Sequence, residues 1–155
     1  MSEKTCDHKS VGILVWKENK LLLIERKNFP FGFAPPAGHL DGDSFETGAK
    51  RELKEEVGLD AIELKLLLEQ KAENICKQRD GTWHYWKIYE AKVKGEVQRS
   101  LDETKQVGWY SLAEIKSLSN RTKEYLEGKI KEEEWRSKPG IETVWYDWFR
   151  KLKMT

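Results

Sequence analysis

Short runs of β-branched and aromatic residues, some of them alternating with polar residues, recur along the chain and predict β-strands. The predicted strands are 11–16, 21–25, 62–68, 83–93 and 106–110. Only the polar residues 17–20 separate the first two, which predicts a hairpin. The strand at 83–93 has aromatic residues on both faces, so we expect other elements to cover both of its sides.

One segment has helical periodicity instead. Its apolar residues recur every four positions and would form one helix face: Phe45, Ala49, Leu53 and Val57. Asp43 or Ser44 can cap the start of this helix, because both residue types accept hydrogen bonds from the first turn. Gly58 stands where a left-handed residue would end it. The segment therefore predicts one short helix.

Three carboxylates, those of Glu52, Glu55 and Glu56, fall on the arc beside this apolar face. Like charges at helical spacing repel one another, and a cation would relieve the repulsion. Mg²⁺ prefers oxygen ligands and usually also binds substrate phosphates. Arg51 can brace Glu55 and can reach back to Asp43. The alternative interpretation is a solvated acidic helix face.

The last third of the chain is charged and predicted to be helical. Ser111 and Glu114 have the spacing of a capping box and predict a helix to about residue 118, followed by a second helix over 122–135. Pro139 and Gly140 interrupt the pattern. The final helix has an apolar stripe formed by Ile141, Val144, Trp145, Trp148, Phe149 and Leu152. We expect this stripe to pack on the domain, with a homodimer contact as the alternative.

Residues 37–59 resemble the Nudix box, the signature G-x5-E-x7-R-E-U-x-E-E-x-G-U of the Nudix hydrolases, in which U is a bulky aliphatic residue. The second half of the signature is matched at every position by Arg51, Glu52, Leu53, Glu55, Glu56, Gly58 and Leu59. The first half departs twice, because Ala37 replaces the glycine and Asp43 replaces the glutamate. A signature of this length is specific, and both replacements are mild.

The strands around one helix describe an α+β chain, and the resemblance implies an α/β/α sandwich with a mixed β-sheet and extra C-terminal helices. We expect one domain over residues 1–155. Residues 1–9 are polar and expected to be flexible, whereas residues 121–155 would form a C-terminal helical extension.

The resemblance also implies a reaction. It is the hydrolysis, with Mg²⁺ or Mn²⁺ as a substitute, of a phosphoanhydride bond in a nucleoside diphosphate derivative or a nucleoside triphosphate. The implied metal ligands are Glu52, Glu55, Glu56 and the backbone carbonyl of Pro36. The implied catalytic residues are Arg51, Glu52, Glu55, Glu56 and Glu103. Glu55 and Glu103 compete for the role of general base, and a solvated loop carboxylate is the alternative for Glu103.

Residues 26–33 mix two cations with three aromatic rings, a combination that suits phosphates and bases. Arg26 and Phe31 are therefore candidate substrate contacts, although the phenylalanines of this loop could instead anchor it to the core. His39 is a third candidate, which would contact phosphate or shape the loop rather than carry out the chemistry.

Two other function classes stay open. A Nudix-like sensor would bind nucleotides without cleaving them, although such domains often lose box glutamates. An isoprenoid diphosphate isomerase would need a cysteine in the site, and Cys76 has no visible supporting residues. A product assay separates both classes from a hydrolase.

The composition limits the classes of binding partner that we expect. Charged residues make up 35% of the 155 residues but leave a net charge of +1, which argues against DNA or RNA polymers and leaves a small diphosphate as partner. Two cysteines are too few for a disulfide framework, and a loose terminus is favoured over a metal shared by Cys6 and His8. Without a membrane-spanning run or a secretory signal, we expect a cytoplasmic protein with no membrane contact.

Overall fold

The computed structural model describes residues 4–155 of the chain. Its strands are β1 (Lys9–Leu14), β2 (Trp16–Lys17), β3 (Lys20–Arg26), β4 (Phe33–Ala34), β5 (Ala37–His39), β6 (Asp60–Ala72), β7 (His84–Lys94) and β8 (Thr104–Tyr110). Its helices are α1 (Phe45–Val57), α2 (Leu112–Leu126), α3 (Glu132–Ser137) and α4 (Thr143–Lys151).

The strands form two sheets. Strands β5, β1, β7 and β6 lie side by side in that order, with β1 and β7 parallel and the outer pairs antiparallel. In the second sheet, β3 pairs antiparallel with β2, β4 and β8. The N–H of Leu22 donates to the carbonyl of Val15 at 2.9 Å, which joins the two sheets. The predicted mixed sheet is confirmed.

The sheets lie between two layers of helices because their strands are apolar on both faces. In β3, Leu22 and Ile24 belong to the hydrophobic cluster that contains the buried face of α1. Leu21 and Leu23 belong to the opposite cluster, which contains Trp145 and the rest of the apolar stripe of α4. Burying a large apolar side chain contributes about 1.5–3 kcal/mol. The predicted α/β/α sandwich is confirmed, and the stripe of α4 packs on the sheet.

The N-terminal segment, which the sequence predicts to be flexible, pairs with a later loop from Thr5 onward. Thr5 forms a β-bridge with Arg79, and the N–H of Cys6 donates to the carbonyl of Arg79 at 2.8 Å. Only 4% of Cys6 is exposed, and Lys9 already begins β1. Residues 1–3 of the expected flexible segment lie outside the described residues. The terminus is held because it pairs with the loop before β7.

The C-terminal helices are divided differently from the prediction. Helix α2 keeps its predicted capping box, but it extends without a break to Leu126. The predicted helix over 122–135 is therefore wrong as a single element. Gly128, with φ 79°, follows α2 in the left-handed conformation that is common just after helix ends. Within the rest of the predicted range 122–135, the only helical residues belong to the six-residue helix α3. No helix in the described residues is long and apolar enough to cross a membrane.

All five predicted strands occur in the predicted order, but the described residues form eight strands, because one predicted strand divides and the short strands β4 and β5 were not predicted. The predicted strand 11–16 divides at Val15 into β1 and β2, and the turn 17–20 contains two residues with positive φ, Glu18 and Asn19. Strand β6 is 13 residues long rather than seven. Most of its side chains are partly or fully exposed, so their pattern gave little indication of how far the strand continues.

Candidate active site

Helix α1 is the platform of the candidate site. Ser44 is its N-cap, because its Oγ accepts a hydrogen bond from the N–H of Thr47 at 3.2 Å. Gly58, with φ 76°, ends the helix as predicted. The buried stripe that includes Ala49 and Leu53 fixes the rotation of the helix against the sheet. This rotation turns the next arc, which carries the carboxylates, toward β5.

Glu56 is the most deeply placed carboxylate, with 4% of the residue exposed. Its Oε1 accepts a hydrogen bond of 2.7 Å from the backbone N–H of Ala37 in β5. Burial raises the pKa of Glu56 well above its ordinary value, and the neighbouring charge of Glu52 raises it further. A buried carboxylate of this kind needs either a proton or a cation.

Glu52 is the second buried carboxylate, and it lies against the backbone of Gly38. A Cβ atom on residue 38 would overlap the carboxylate carbon and both oxygens of Glu52, so only glycine leaves room for it. Burial raises the pKa of Glu52 to about 7, although the hydrogen bond from Arg51 opposes this shift. The glycine that follows Ala37 thus allows the loop and the helix to meet.

Arg51 ties the loop to the helix. Its Nε donates to Asp43 Oδ2 and its Nη1 to Glu52 Oε1, both at 2.8 Å. Its Nη2 donates to the backbone carbonyl of His39 at 2.9 Å. The hydrogen bonds to the carboxylates, above all that to Asp43 and then that to Glu52, raise the pKa of Arg51 and keep its guanidinium charged. The Asp43–Arg51 contact was predicted, and Asp43 serves in it rather than as the helix cap.

The two remaining acids differ in their surroundings. Glu55 has a half-exposed side chain, and its Oε2 lies 3.5 Å from Nη1 of Arg51. Glu103 belongs to the loop before β8, where its backbone carbonyl accepts from the N–H of Lys27 at 3.0 Å. The charge of Glu103 contributes to the raised pKa of both Glu52 and Glu56. Glu103 therefore acts electrostatically on the box carboxylates, although 47 or more residues separate them in sequence.

The backbone oxygen that faces the carboxylates belongs to Ala37 rather than Pro36. The carbonyl of Pro36 accepts a hydrogen bond of 2.9 Å from Ile13 and therefore faces β1. Ala37 pairs with Gly12, but its N–H donates to Glu56. In the antiparallel ladder, a residue whose N–H points away from the partner strand directs its carbonyl the same way. The prediction of the Pro36 carbonyl as a ligand is corrected accordingly.

The three candidate substrate contacts have different surroundings. Arg26 lies near the carboxylates, since its charge lowers the pKa of Glu56, and its Nε donates to the carbonyl of Pro30 at 2.7 Å. The ring of Phe31 lies 5.1 Å from the guanidinium of Arg136. The ring of His39 contacts other histidine and cysteine side chains, and His39 also lines a small cavity together with Ala37 and Gly38. Its contact with phosphate stays a prediction.

A family model described as NUDIX domain matches residues 7–129. The chain belongs to the Nudix family. It is 33% identical over 118 residues to the ADP-ribose pyrophosphatase of Methanocaldococcus jannaschii, an alignment that covers 72% of this chain and 68% of that protein. This Nudix chain is a hydrolase that acts on acid anhydrides, a pyrophosphohydrolase, as predicted.

The solved structures that resemble the chain include two MutT proteins. The MutT Nudix hydrolase of Burkholderia pseudomallei has 25% identity and a TM-score of 0.60, and the likeness covers 68% of this chain and 84% of that one. The MutT protein of Methanosarcina mazei Go1 has 18% identity and a TM-score of 0.67, with 99% of this chain and 96% of that one covered. The second likeness concerns the fold alone, and it extends over α2, α3 and α4.

The Nudix carboxylates fit a divalent cation. Nudix hydrolases generally use such ions, and the buried pair of Glu52 and Glu56 supplies the hard oxygen donors that Mg²⁺ prefers. Burial raises the pKa of both groups, which shows that their negative charges are poorly compensated by the protein. A cation between the helix and β5 would stabilise both anions.

Two cavities of the Nudix fold share lining residues, and the smaller one is lined by Ala37 and Gly38, which contact the buried carboxylates. A small one of about 50 Å³ is lined by residues that include Arg26, Ala37 and Gly38. Pro30 and Asn74 line it as well, and they also line a cleft of about 1000 Å³. Aromatic residues of this cleft include Phe29, Phe31, Tyr125, Trp135 and Trp148. The residues of α2 and α3 that line this cleft were not predicted from the sequence, because their aromatic side chains stand among charged residues.

Proposed function

We propose that this chain hydrolyses, with Mg²⁺, the diphosphate bond of a nucleoside diphosphate derivative of the ADP-ribose type. The observation that carries the proposal is the buried pair of Glu52 and Glu56, which lies against Ala37 and Gly38. Pro30 and Asn74 line both the small cavity at Ala37 and Gly38 and the aromatic cleft. The name of the relative from Methanocaldococcus jannaschii favours ADP-ribose as the first compound to test.

Three oxygen donors would hold the cation. They are the carboxylates of Glu52 and Glu56 and the backbone carbonyl of Ala37, with the half-exposed Glu55 as a further ligand. Mg²⁺ keeps several positions for water and for substrate phosphates, so a partial protein shell is sufficient. A divalent cation supplies charge neutralisation on the phosphoryl oxygens. Arg51 is a positioning residue, since its donors are directed at Asp43, Glu52 and backbone carbonyls.

Glu103 would act as the general base. The influence of its charge on both buried carboxylates supports this role. Glu55 is the less favourable candidate because its carboxylate already forms an ion pair with Arg51 at 3.5 Å. Glu103 would take the proton from the attacking water as the oxygen approaches the phosphorus atom.

The aromatic cleft would bind the nucleoside part. Its volume of about 1000 Å³ is at the upper end of the range for small-molecule sites. Phe33 is buried in the core and anchors the loop, whereas Phe29 and Phe31 line the cleft. Aromatic faces stack on bases, and lysine and arginine side chains at the rim, including Lys71 and Arg136, carry charges that suit phosphates.

A Nudix-like sensor is the competing function, and the retained carboxylates argue against it. We would incubate the full chain with Mg²⁺ and ADP-ribose, a nucleotide sugar, a dinucleoside polyphosphate and ATP, and measure the products by ion-exchange chromatography. We expect ADP-ribose to give AMP and ribose 5-phosphate. Binding of ADP-ribose without any product would favour the sensor.

Glu56→Gln and Glu46→Gln form a matched pair for this assay. Both remove one carboxylate from α1, but Glu46 is exposed in the first turn of the helix. Turnover should be lost in the first variant and kept in the second. Equal turnover in both variants would exclude the carboxylate pair as the metal site.

A further inference from the structure

Four side chains that the hydrolytic site does not use converge next to it: Cys6, His39, Cys76 and His84. Their potential ligand atoms all lie within 4.8 Å of one another. We propose that these residues bind a Zn²⁺ ion in a tetrahedral Cys₂His₂ site with a structural role. The cluster is separate from the glutamate carboxylates and does not depend on the proposed hydrolysis.

The distances within the cluster fit a shared metal ion. The Nε2 atoms of His39 and His84 are 3.2 Å apart, and Sγ of Cys6 lies 3.5 Å and 3.2 Å from them. Zinc bonds to nitrogen and sulfur imply tetrahedral edges of about 3.3 Å between two nitrogens and about 3.5 Å between nitrogen and sulfur. The measured separations agree with both edges. Cys76 completes the set within the 4.8 Å limit.

The sheet register explains why residues so distant in sequence meet. Strand β1 lies between β5 and β7, and Ser10 pairs with His39 on one side and with Trp86 on the other. Cys6 precedes β1, and His84 is the first residue of β7. Three adjacent strand ends therefore place one ligand each at the same edge, and the loop between β6 and β7 supplies Cys76.

The ring of His84 is oriented by a second contact, as is usual for zinc-binding histidines. Its Nδ1 lies 3.0 Å from Oδ1 of Asn74, which also accepts a hydrogen bond of 3.2 Å from Nε1 of Trp86. Because the indole can only donate, the Asn74 atom that faces both rings is the oxygen. Nδ1 of His84 therefore carries the proton, and Nε2 presents its lone pair to the cluster.

Both sulfurs accept backbone hydrogen bonds that would stabilise thiolates. The N–H of His8 donates to Sγ of Cys6 at 3.3 Å, and the N–H of Gln78 donates to Sγ of Cys76 at 3.4 Å. In each case the donor stands two residues after the cysteine. Gly81 packs directly against Sγ of Cys76, and a Cβ atom on residue 81 would overlap this sulfur. The loop is thus shaped around the sulfur position.

Without a metal ion the same groups are poorly solvated. Only 4% of Cys6 and 1% of His84 are exposed, so little water reaches either side chain. Zinc would replace the thiol protons and bind the neutral imidazoles, which resolves the crowding of four polar groups. With four protein ligands the shell is closed, which is typical of a structural rather than a catalytic site.

Two other states of the cluster make different predictions. In the first, the thiols and imidazoles are only hydrogen-bonded to one another, so both thiols are free and no metal is retained. In the second, Cys6 and Cys76 form a disulfide by losing two protons and two electrons to an oxidant, so the chain is lighter by two hydrogen atoms. Elemental analysis, thiol titration and intact mass together separate these states from zinc binding.

The test uses the full chain without a histidine tag. It is incubated with equimolar Zn²⁺ under reducing conditions, passed through a desalting column with a competing chelator, and analysed for zinc by mass spectrometry. We expect close to one zinc ion per chain, and at least about tenfold less in Cys76→Ser and in His84→Asn. His8→Asn is the matched control, because His8 is the remaining histidine and asparagine tolerates its φ of 60°. This control should keep its zinc.

A spectroscopic measurement covers the case in which the ligand variants do not fold. Co²⁺ bound to the unaltered chain should give the intense d–d absorption of a tetrahedral site together with thiolate-to-metal charge transfer, and Zn²⁺ should remove both. Glu56→Gln should retain the zinc, which separates this site from the hydrolytic one. Absence of zinc from the unaltered chain, or zinc retained in folded Cys76→Ser and His84→Asn, would overturn the proposal.

Discussion

The backbone N–H of Ala37 donates a hydrogen bond of 2.7 Å to Oε1 of the buried Glu56 carboxylate. This contact fixes the carboxylate helix against the free edge of β5. Glu52, one turn earlier on α1, occupies the space beside Gly38 where any other residue would place its side chain. The position of both carboxylates therefore depends on the path of one short edge strand.

Glu56→Gln should abolish most of the turnover without unfolding the protein. The amide oxygen can still accept the hydrogen bond from Ala37, but it lacks the negative charge that holds a divalent cation. We expect kcat to fall by about 10³-fold, which corresponds to about 4 kcal/mol of transition-state stabilisation. Steady-state kinetics and thermal unfolding, compared with Glu46→Gln, check this prediction. A Glu56→Gln protein with unchanged kcat would contradict it.

The metal-free protein should lose stability as the pH rises from about 5 to about 8. The pKa of Glu52 is raised from 4.5 to about 7 in the folded state, and that of Glu56 is also raised. The folded chain therefore keeps protons that the unfolded chain releases, and this advantage disappears as the pH passes through the folded pKa. The raised pKa of Glu52 alone should change the free energy of unfolding by on the order of 3 kcal/mol between these pH values.

Urea unfolding at several pH values, with and without Mg²⁺, measures this dependence. Mg²⁺ should remove most of the loss at pH 8, because a cation replaces the protons. Glu52→Gln should flatten the pH dependence in the absence of metal. If the free energy of unfolding of the metal-free protein instead rises between pH 5 and pH 8, the two carboxylates do not control its pH dependence.

Gly38→Ala should weaken Mg²⁺ binding by displacing the Glu52 carboxylate. Its new Cβ would overlap that carboxylate, so either the side chain or β5 must shift. Gly42→Ala in the same loop is the comparison: Gly42 has φ 95° but open space around it, so alanine adds backbone strain without moving a ligand. Mg²⁺ titration calorimetry should show weaker binding in Gly38→Ala alone. Equal weakening in both variants would point to loop strain instead.

Glu103→Gln should lower kcat by about 10²–10⁴-fold if Glu103 is the general base, with little change in Mg²⁺ affinity. Glu55→Gln should keep most of kcat and change the Mg²⁺ dependence instead. The reverse pattern would assign the base to Glu55, so kcat and Mg²⁺ affinity measured for both variants side by side decide between these acids.

Phe31→Ala should raise KM for ADP-ribose more than it changes kcat. Stacking of a base on an aromatic side chain contributes about 1–3 kcal/mol, so KM should rise by about 5- to 100-fold. Phe31→Tyr keeps the aromatic face and should keep KM within about threefold. An unchanged KM in Phe31→Ala would place the base elsewhere in the cleft.

The two sites of this chain differ in how far the sequence could reveal them. Glu52 and Glu56 lie one turn apart on a helix with clear caps, so their convergence follows from local geometry. The contact of Ala37 with Glu56 depends on the register between β5 and β1, and the prediction placed the facing carbonyl one residue too early. A one-residue change reverses the direction of backbone groups in a strand.

The cysteine and histidine cluster could not be predicted from spacing. Cys6 and His39 are 33 residues apart, and Cys6 and His84 are 78 residues apart, so no short motif connects them. They meet because β1 lies between β5 and the parallel strand β7, a pairing that local patterns do not determine. The sequence analysis considered a metal shared by Cys6 and His8, but the ring of His8 stacks on Trp83 instead.

Removal of zinc should lower both stability and activity, because the proposed metal site holds the end of β5. His39 would bind zinc through its ring while its backbone carbonyl accepts a hydrogen bond from Arg51. A zinc-selective chelator in excess Mg²⁺ should lower the melting temperature of the full chain by about 10 °C, equivalent to about 4 kcal/mol for a domain of this size. The kcat should fall as β5 loosens. The same chelator should have no effect on His84→Asn, whereas equal effects on both proteins would show that the chelator acts elsewhere.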